Sequence, residues 1–310
     1  MAIPALTRHQ LESGSPGRPT ALTIGVLDGV HLGHRALLQR LTQEARARGL
    51  TPGVITLHPH PRTVLNPSFQ PSYLTSLEQR IELLHAAGAE WVVPLTFTSE
   101  VAEVEAEELV SAFVELLEMR LLVLGPDAAF GRGAPKDTPE RMRRLGAALG
   151  FEVIQIPPLL IEGERCSSSA IRSALQAGDM ERVTRLLGRH YELSGPVVRG
   201  YERGRTLGFP TANISIAADR ALPALGVYAT WVRIGEMRFK GATNIGRRPT
   251  FEPGHVSIET HVLDFDGDLY GRRITIELVA RIREERAFAS VEELREQIAR
   301  DVAHVREVLR

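Results

Sequence analysis

The chain has 310 residues with 37 basic and 38 acidic side chains, and a formal net charge of -1 supplies no global field to gather nucleic acid or an anionic membrane. Hydrophobic residues at 43% and charged residues at 24% exclude disordered, collagen-like and fibrous classes, and the length suits two cores better than one. The single cysteine, Cys166, excludes an intrachain disulfide; residues 1–10 lack the basic start and apolar run of a secretory signal, and no run approaches the length of a membrane span.

In chain order, residues 23–27 read as a buried strand and residues 34–48 as a helix carrying Ala36, Leu37, Leu41 and Ala45 on one side. Further strands are predicted at 54–57, 91–95, 121–124 and 151–156, with helices near 77–87, 104–118, 139–149 and 169–187. Alternating βαβ units predict a parallel sheet covered on both faces, with ligands at the carboxyl ends of its strands. The most informative stretch is Thr-Ile-Gly-Val-Leu-Asp-Gly-Val-His-Leu-Gly-His at 23–34. It runs from a strand through a glycine turn into a helix start, and puts the imidazoles of His31 and His34 beside exposed helix N–H groups. Such an end binds anions, and paired donors there suit a transferring phosphoryl group. Two plainer readings stay open. The histidines could make only local turn hydrogen bonds, or bind a metal together with His58 and His60, although no His-Glu-x-x-His or cysteine cluster accompanies them.

Beyond Tyr191 strand-like runs at 193–199, 226–234, 237–243, 256–263 and 274–282 follow one another without helices, which predicts an antiparallel sheet or small barrel. The chain ends in a helix with a capping box at Ser290 and Glu293 and an apolar stripe of Val291, Leu294, Ile298, Val302, Val305 and Leu309. Domain limits of 1–187 and 193–310 with a linker at 188–192 follow from Gly188, Arg189 and His190, which interrupt both patterns. The stretch 195–213 carries glycines at 195, 200, 204 and 208, suited to close backbone approach to a phosphate, and ends in Pro-Thr-Ala-Asn. No Walker-type G-x-x-x-x-G-K-[ST] or protein-kinase motif set is present, so a kinase here would use another scaffold. Asp264, Asp266 and Asp268 read as a turn rather than a calcium loop.

The H-x-G-H pattern after a G-x-x-D-G turn resembles adenylyl- and cytidylyltransferases. Together with Thr-Leu-His-Pro-His-Pro at 56–61, Gly-Pro-Asp-Ala-Ala-Phe-Gly at 125–131 and Ser-Ser-Ser-Ala-Ile-Arg at 167–172, it resembles the N-terminal module of prokaryotic bifunctional riboflavin kinase/FAD synthetases. The second half resembles the riboflavin kinase module through 195–213, Gly-Ala-Thr-Asn-Ile-Gly at 241–246, Pro-Thr-Phe at 249–251 and 259–271. The resemblance implies a Rossmann-like nucleotidyltransferase α/β domain followed by an antiparallel β-barrel with a terminal helix. In the first, Gly25, Asp28, His31, His34, Asp127, Ser168, Ser169 and Arg172 would bind ATP, with His31, His34 and Arg172 catalytic and Phe130 and Asp127 on the flavin. In the second, Glu259 would be the base; Gly204, Thr211 and Asn213 would bind ATP, the last two also Mg2+, and Gly195, Gly208 and Phe209 the flavin.

The implied reactions are riboflavin plus ATP to FMN, then FMN plus ATP to FAD and pyrophosphate. Their demands differ: a primary alcohol needs a base, whereas FMN's phosphate is already ionised and needs donors. The residues divide the same way. Leu27, Leu57 and Ala128 stand where the family usually has phenylalanine, His58 where it has aspartate and Ser169 where it has threonine, which leaves the residues holding the first domain's flavin ring open. Cys166 reads as packing. The rivals are another H-x-G-H transferase, in which 195–213 and 259–271 have no place, and a flavin-binding regulator without turnover. The expectation is a cytoplasmic protein with small-molecule partners, no nucleic acid and no membrane, and homo-oligomerisation left open.

Overall fold

The computed structural model describes residues 3–129, 131–133, 138–200, 204, 207–247 and 256–310. By contacts the chain divides into two units, Met1–Ser168 and Ser169–Arg310.

The first unit holds α1 (Ala5–Gly14), β1 (Thr20–Gly25), α2 (Leu32–Arg48), β2 (Thr51–His58), α3 (Pro61–Leu65), α4 (Leu77–Ala86), β3 (Trp91–Thr96), α5 (Ser99–Ala102) and α6 (Ala106–Leu117). It continues through β4 (Met119–Leu124), α7 (Thr138–Leu149), β5 (Glu152–Gln155) and a small hairpin of β6 (Leu160–Ile161) and β7 (Glu164–Arg165). The five main strands are all parallel in the order β3-β2-β1-β4-β5. Alternate residues of each strand serve opposite faces, so the sheet has two cores. Leu22, Leu122 and Leu124 pack with Leu11, Val110, Phe113 and Met142 on one side. Ala21, Leu121 and Val123 pack with Leu37, Leu38, Leu41 and Leu84 on the other. Gly53 is required in β2 because any Cβ there would overlap the Trp91 indole on β3.

The chain leaves β1 towards β2 on one side and later returns to β4 on the other, so β1 and β4 flank the switch point of the sheet. Ligands in open parallel sheets bind there, outside the carboxyl ends of the strands. The predicted α/β sheet is present with its five strands, the first of them displaced: β1 runs over Thr20–Gly25 rather than 23–27, because the chain turns at Leu27 with φ +50°.

The second unit opens with α8 (Ser168–Ala177), which begins on the last residue of the first, and α9 (Met180–Leu187). The single helix expected at 169–187 is two, because Gly178 adopts φ +74° and Asp179 then caps α9 through Arg182 N at 3.0 Å. Strands β8 (Tyr191–Val198), β9 (Ala212–Ile214), β10 (Gly226–Ile234), β11 (Met237–Arg247), β12 (Val256–Val262) and β13 (Arg273–Arg283) close a barrel in the order β10-β11-β12-β9-β8-β13. All six pairings are antiparallel. The barrel interior includes a threonine chain, with hydroxyl contacts of 2.8 Å between Thr230 and Thr243 and 2.9 Å between Thr243 and Thr260. Inside, such hydroxyls must satisfy one another.

The terminal helix α10 (Val291–Val308) is capped as predicted: Glu293 N donates to Ser290 Oγ at 3.1 Å, and Glu293 reaches back to Ala289 N at 3.0 Å. Val305 and Leu309 pack with Ala229 and Leu263, whereas Val291 stays exposed. Asp301, buried within the stripe, takes the Arg283 guanidinium at 2.8–3.1 Å and Gln297 Nε2 at 2.7 Å. No helix among the described residues is long and apolar enough to cross a membrane.

Candidate active sites

In the first unit the loop from β1 to α2 lies at the switch point. Leu27, Gly29 and Val30 all take positive φ (50°, 85° and 38°), a conformation that side chains resist and that surrounding bonds must impose. Those bonds centre on Asp28, which is 3% exposed. Its carboxylate accepts from Leu74 N at 2.9 and 3.0 Å, and from Thr75 N and Oγ1 at 3.1 Å, while the Arg80 guanidinium stands 3.6 Å away. Gly29 N donates to Thr75 Oγ1 at 3.2 Å, Thr56 Oγ1 to Val26 O at 3.0 Å, and Ser168 Oγ to Asp28 O at 2.9 Å. Asp28, expected to bind ATP, is thus occupied in shaping the loop.

The loop delivers two imidazoles to the start of α2. His31 is the N-cap, its Nδ1 accepting from His34 N at 3.3 Å, and the rings stack at 3.7 Å between centroids with 20° between planes. Burial first, then His31, then Arg80 push the His34 pKa well below the ordinary imidazole value. Its buried Nδ1 has no hydrogen-bond partner among the described residues. Gly33 lets the chain pass tightly: its N donates to Cys166 Sγ at 3.4 Å, and a Cβ would sit 3.1 Å from the His31 ring. Cys166 lies 3.4 Å from His31 Nδ1 and is buried, with its thiol pKa pushed up mainly by burial. A thiol in that state is a poor nucleophile.

Gly25 ends β1, where an added Cβ would meet nothing nearer than Leu27 at 3.6 Å. Asp127 follows β4, exposed and ion-paired with Arg165. Phe130 lies outside the described residues. Ser168 heads α8; Ser169, exposed, and Arg172, half-buried, follow on the same helix in the second unit. His58 and His60 lie against the Tyr73 and Phe69 rings at 5.6 and 5.4 Å, and among the described residues no group of three or more metal-ligating side chains could hold an ion.

In the second unit the threonine chain fixes which way β11 and β12 face. Thr243 and Thr260 point inwards, so Asn244 and Glu259, paired across the two strands, point outwards. Glu259 is also opposite Asn213 on β9, while Thr260 is opposite Ala212. Thr211, Asn213, Glu259 and Asn244 therefore share one outer face. Two glycines bring backbone onto it: a Cβ at Gly200 would overlap the Asn213 amide, and one at Gly204 would stand 3.1 Å from Thr211 Oγ1. Asn213 is buried and Glu259 half-buried. His261, two residues beyond Glu259, holds the strand entry through an Nδ1 contact of 2.8 Å with Pro210 O and an edge-on contact with Phe209.

Gly208 takes φ +86°, which supplies the turn before Phe209. Gly195 lies inside β8, where a Cβ would overlap the Ser215 carbonyl; its glycine serves strand packing.

Beside Thr211 opens a cleft of about 740 Å³ lined by Val197, Arg199, Asp266 and Tyr270 among others, with the Arg199 guanidinium 5.4 Å from the Tyr270 ring centroid. Three participants escape a reading of the sequence. Arg80 looks like one more charge on an amphipathic helix, Asn244 has only its motif to mark it, and Arg199 becomes a cleft residue only when the barrel closes.

These features define a chain that joins a five-stranded parallel α/β unit to a small closed barrel with a polar, glycine-covered outer face. Residues 15–170 match the family model described as FAD synthetase, and residues 187–309 the one described as riboflavin kinase. The bifunctional riboflavin kinase/FMN adenylyltransferase of Escherichia coli strain K12 is 39% identical over 301 residues, covering 96% of this chain and 95% of that protein. The same enzyme of Bacillus subtilis strain 168 is 36% identical over 289 residues, covering 91% and 90%. A crystal structure from Streptococcus pneumoniae, described as a macrolide-efflux protein, matches with a TM-score of 0.88 at 29% identity over 98% of each chain. The chain belongs to the family of bifunctional riboflavin kinases/FMN adenylyltransferases.

Proposed function

We propose that the barrel unit phosphorylates riboflavin with ATP to give FMN and ADP, and that the α/β unit adenylylates FMN with a second ATP to give FAD and pyrophosphate. The observation that carries this reading is the chemical division between the two polar faces: imidazoles at a helix N-terminus in one, a strand carboxylate beside hydroxyl and amide oxygens in the other.

In the barrel unit, Glu259 accepts the proton of the riboflavin 5′-hydroxyl as its oxygen attacks the γ-phosphorus and ADP leaves. Thr211 and Asn213 have the hard oxygen donors that Mg2+ prefers, too few to bind it without the substrate's phosphates and water. They would hold the ion, which supplies neutralisation of phosphate charge when bound. Gly200 and Gly204 bring backbone close to both side chains. The cleft beside Thr211 receives the nucleotide, with Arg199 and Tyr270 offering a cationic and an aromatic surface.

In the α/β unit an oxygen of the FMN phosphate attacks the α-phosphorus of ATP and pyrophosphate departs. No base is required. The two imidazoles, at the positive end of the α2 dipole, stabilise charge growing on the phosphate oxygens. Domain limits of 1–187 and 193–310 remain our proposal for the two catalytic modules.

Chromatography of products from the purified protein tests the reading. His31→Ala should abolish FAD formation and spare FMN formation; Glu259→Ala should abolish FMN formation yet make FAD when FMN is supplied. Loss of both activities in each folded variant would refute the division of labour.

A further inference from the structure

The Asp28 knot contains a group that the two reactions do not call for. Arg80 lies in the first turn of α4 and is completely buried. A buried guanidinium is costly unless its charge and donors are met. Here Nη2 stands 3.6 Å from Asp28, Nη1 donates to Leu57 O at 3.4 Å, Nε approaches Thr75 Oγ1 at 3.5 Å, and the cation lies 5.5 Å from the Tyr73 ring centroid. Arg80 thereby ties the end of β2, the segment before α4 and the β1–α2 loop to one point.

We infer that Arg80 is a positioning residue of the adenylyl-transfer site: it clamps the Asp28 knot that forces the Leu27–His31 loop into shape. The inference rests on the proposed role of His31 and His34. Without the guanidinium, Asp28 keeps its amide donors but loses its countercharge, and the positive-φ loop loses one of its supports. Two groups act on His34 electrostatically: His31 beside it on the α2 start and Arg80 from α4, both opposing its protonation. Its free-enzyme state is the neutral imidazole, whose ring can present one nitrogen as donor and one as acceptor.

The test uses the full chain with Arg80→Met and Arg80→Lys. Arg80→Met should cut kcat for FAD formation by about tenfold or more, as misplacing a reacting group does, and leave FMN formation by the same preparation unchanged. In its NMR titration the His34 midpoint should move up. Arg80→Lys keeps the charge but not the fork, so the His34 midpoint should stay while kcat falls. A folded Arg80→Met variant with FAD formation within about twofold of the parent overturns the inference, as does an unmoved His34 midpoint, which would reduce Arg80 to packing. If the methionine variant fails to fold, an undiminished kcat in the lysine variant overturns it. Normal FAD formation by His34→Ala would instead sink the site reading on which the clamp rests.

Discussion

His34 shows how a residue's setting makes it more than its type. Its folded pKa is depressed, so between that value and the unfolded value near 6.5 the unfolded chain binds a proton that the native imidazole refuses. The corresponding stability is full above the unfolded pKa and drains away as pH falls towards the folded one. Urea midpoints measured from about pH 8 down to 5 should fall, and His34→Gln should flatten that slope. Asp28 is the complementary case: its position in the G-x-x-D-G turn suggests a ligand contact, yet its oxygens are taken by Leu74, Thr75 and Arg80. Asp28→Asn leaves a similar shape but turns an acceptor into a donor facing amides. It should lower FAD formation more than FMN formation, checked by assaying both products from one preparation.

At the scale of elements, sequence patterning located the five main strands of the first unit, five of the six barrel strands and the terminal helix, because each shows its pattern within one short run of the chain. It missed α1, whose polar composition conceals its two buried residues Thr7 and Leu11, and the short elements α3, α5, β6, β7 and β9, each five residues or fewer. Helix α10 combines local and non-local control. Its cap is written in Ser290 and Glu293, but its seat depends on Asp301 meeting Arg283 of β13. Arg283→Met should destabilise the second unit by about 3 kcal/mol, because it strands a buried carboxylate, whereas Ser290→Ala should cost about 1 kcal/mol. Urea unfolding of the two variants checks the order. The Glu259 face has the same mixed origin: alternation places the carboxylate on one side of β12, and only pairing with β9 and β11 gives it Asn213 and Asn244 as neighbours.

For the whole molecule, two units with separate cores imply that damage to one site need not reach the other. Mixing His31→Ala with Glu259→Ala should restore FAD formation from riboflavin, because FMN released by the first variant can diffuse to the second; time courses of both flavins measure it. Both modules and the order of their reactions were legible in the sequence, through motifs that are nearly contiguous and therefore survive without coordinates. The fold class was legible for a related reason: βαβ alternation and strand-after-strand succession are properties of neighbours along the chain. What required the tertiary structure was every group whose meaning comes from a distant partner. Arg80 becomes a clamp only across 52 residues of sequence from Asp28, Arg199 a cleft residue only beside Tyr270, and Glu259 part of a polar face only when six strands close. Local chemistry chose the residue types, and long-range packing decided which of them meet, since burial and charge pairing act through space rather than along the chain.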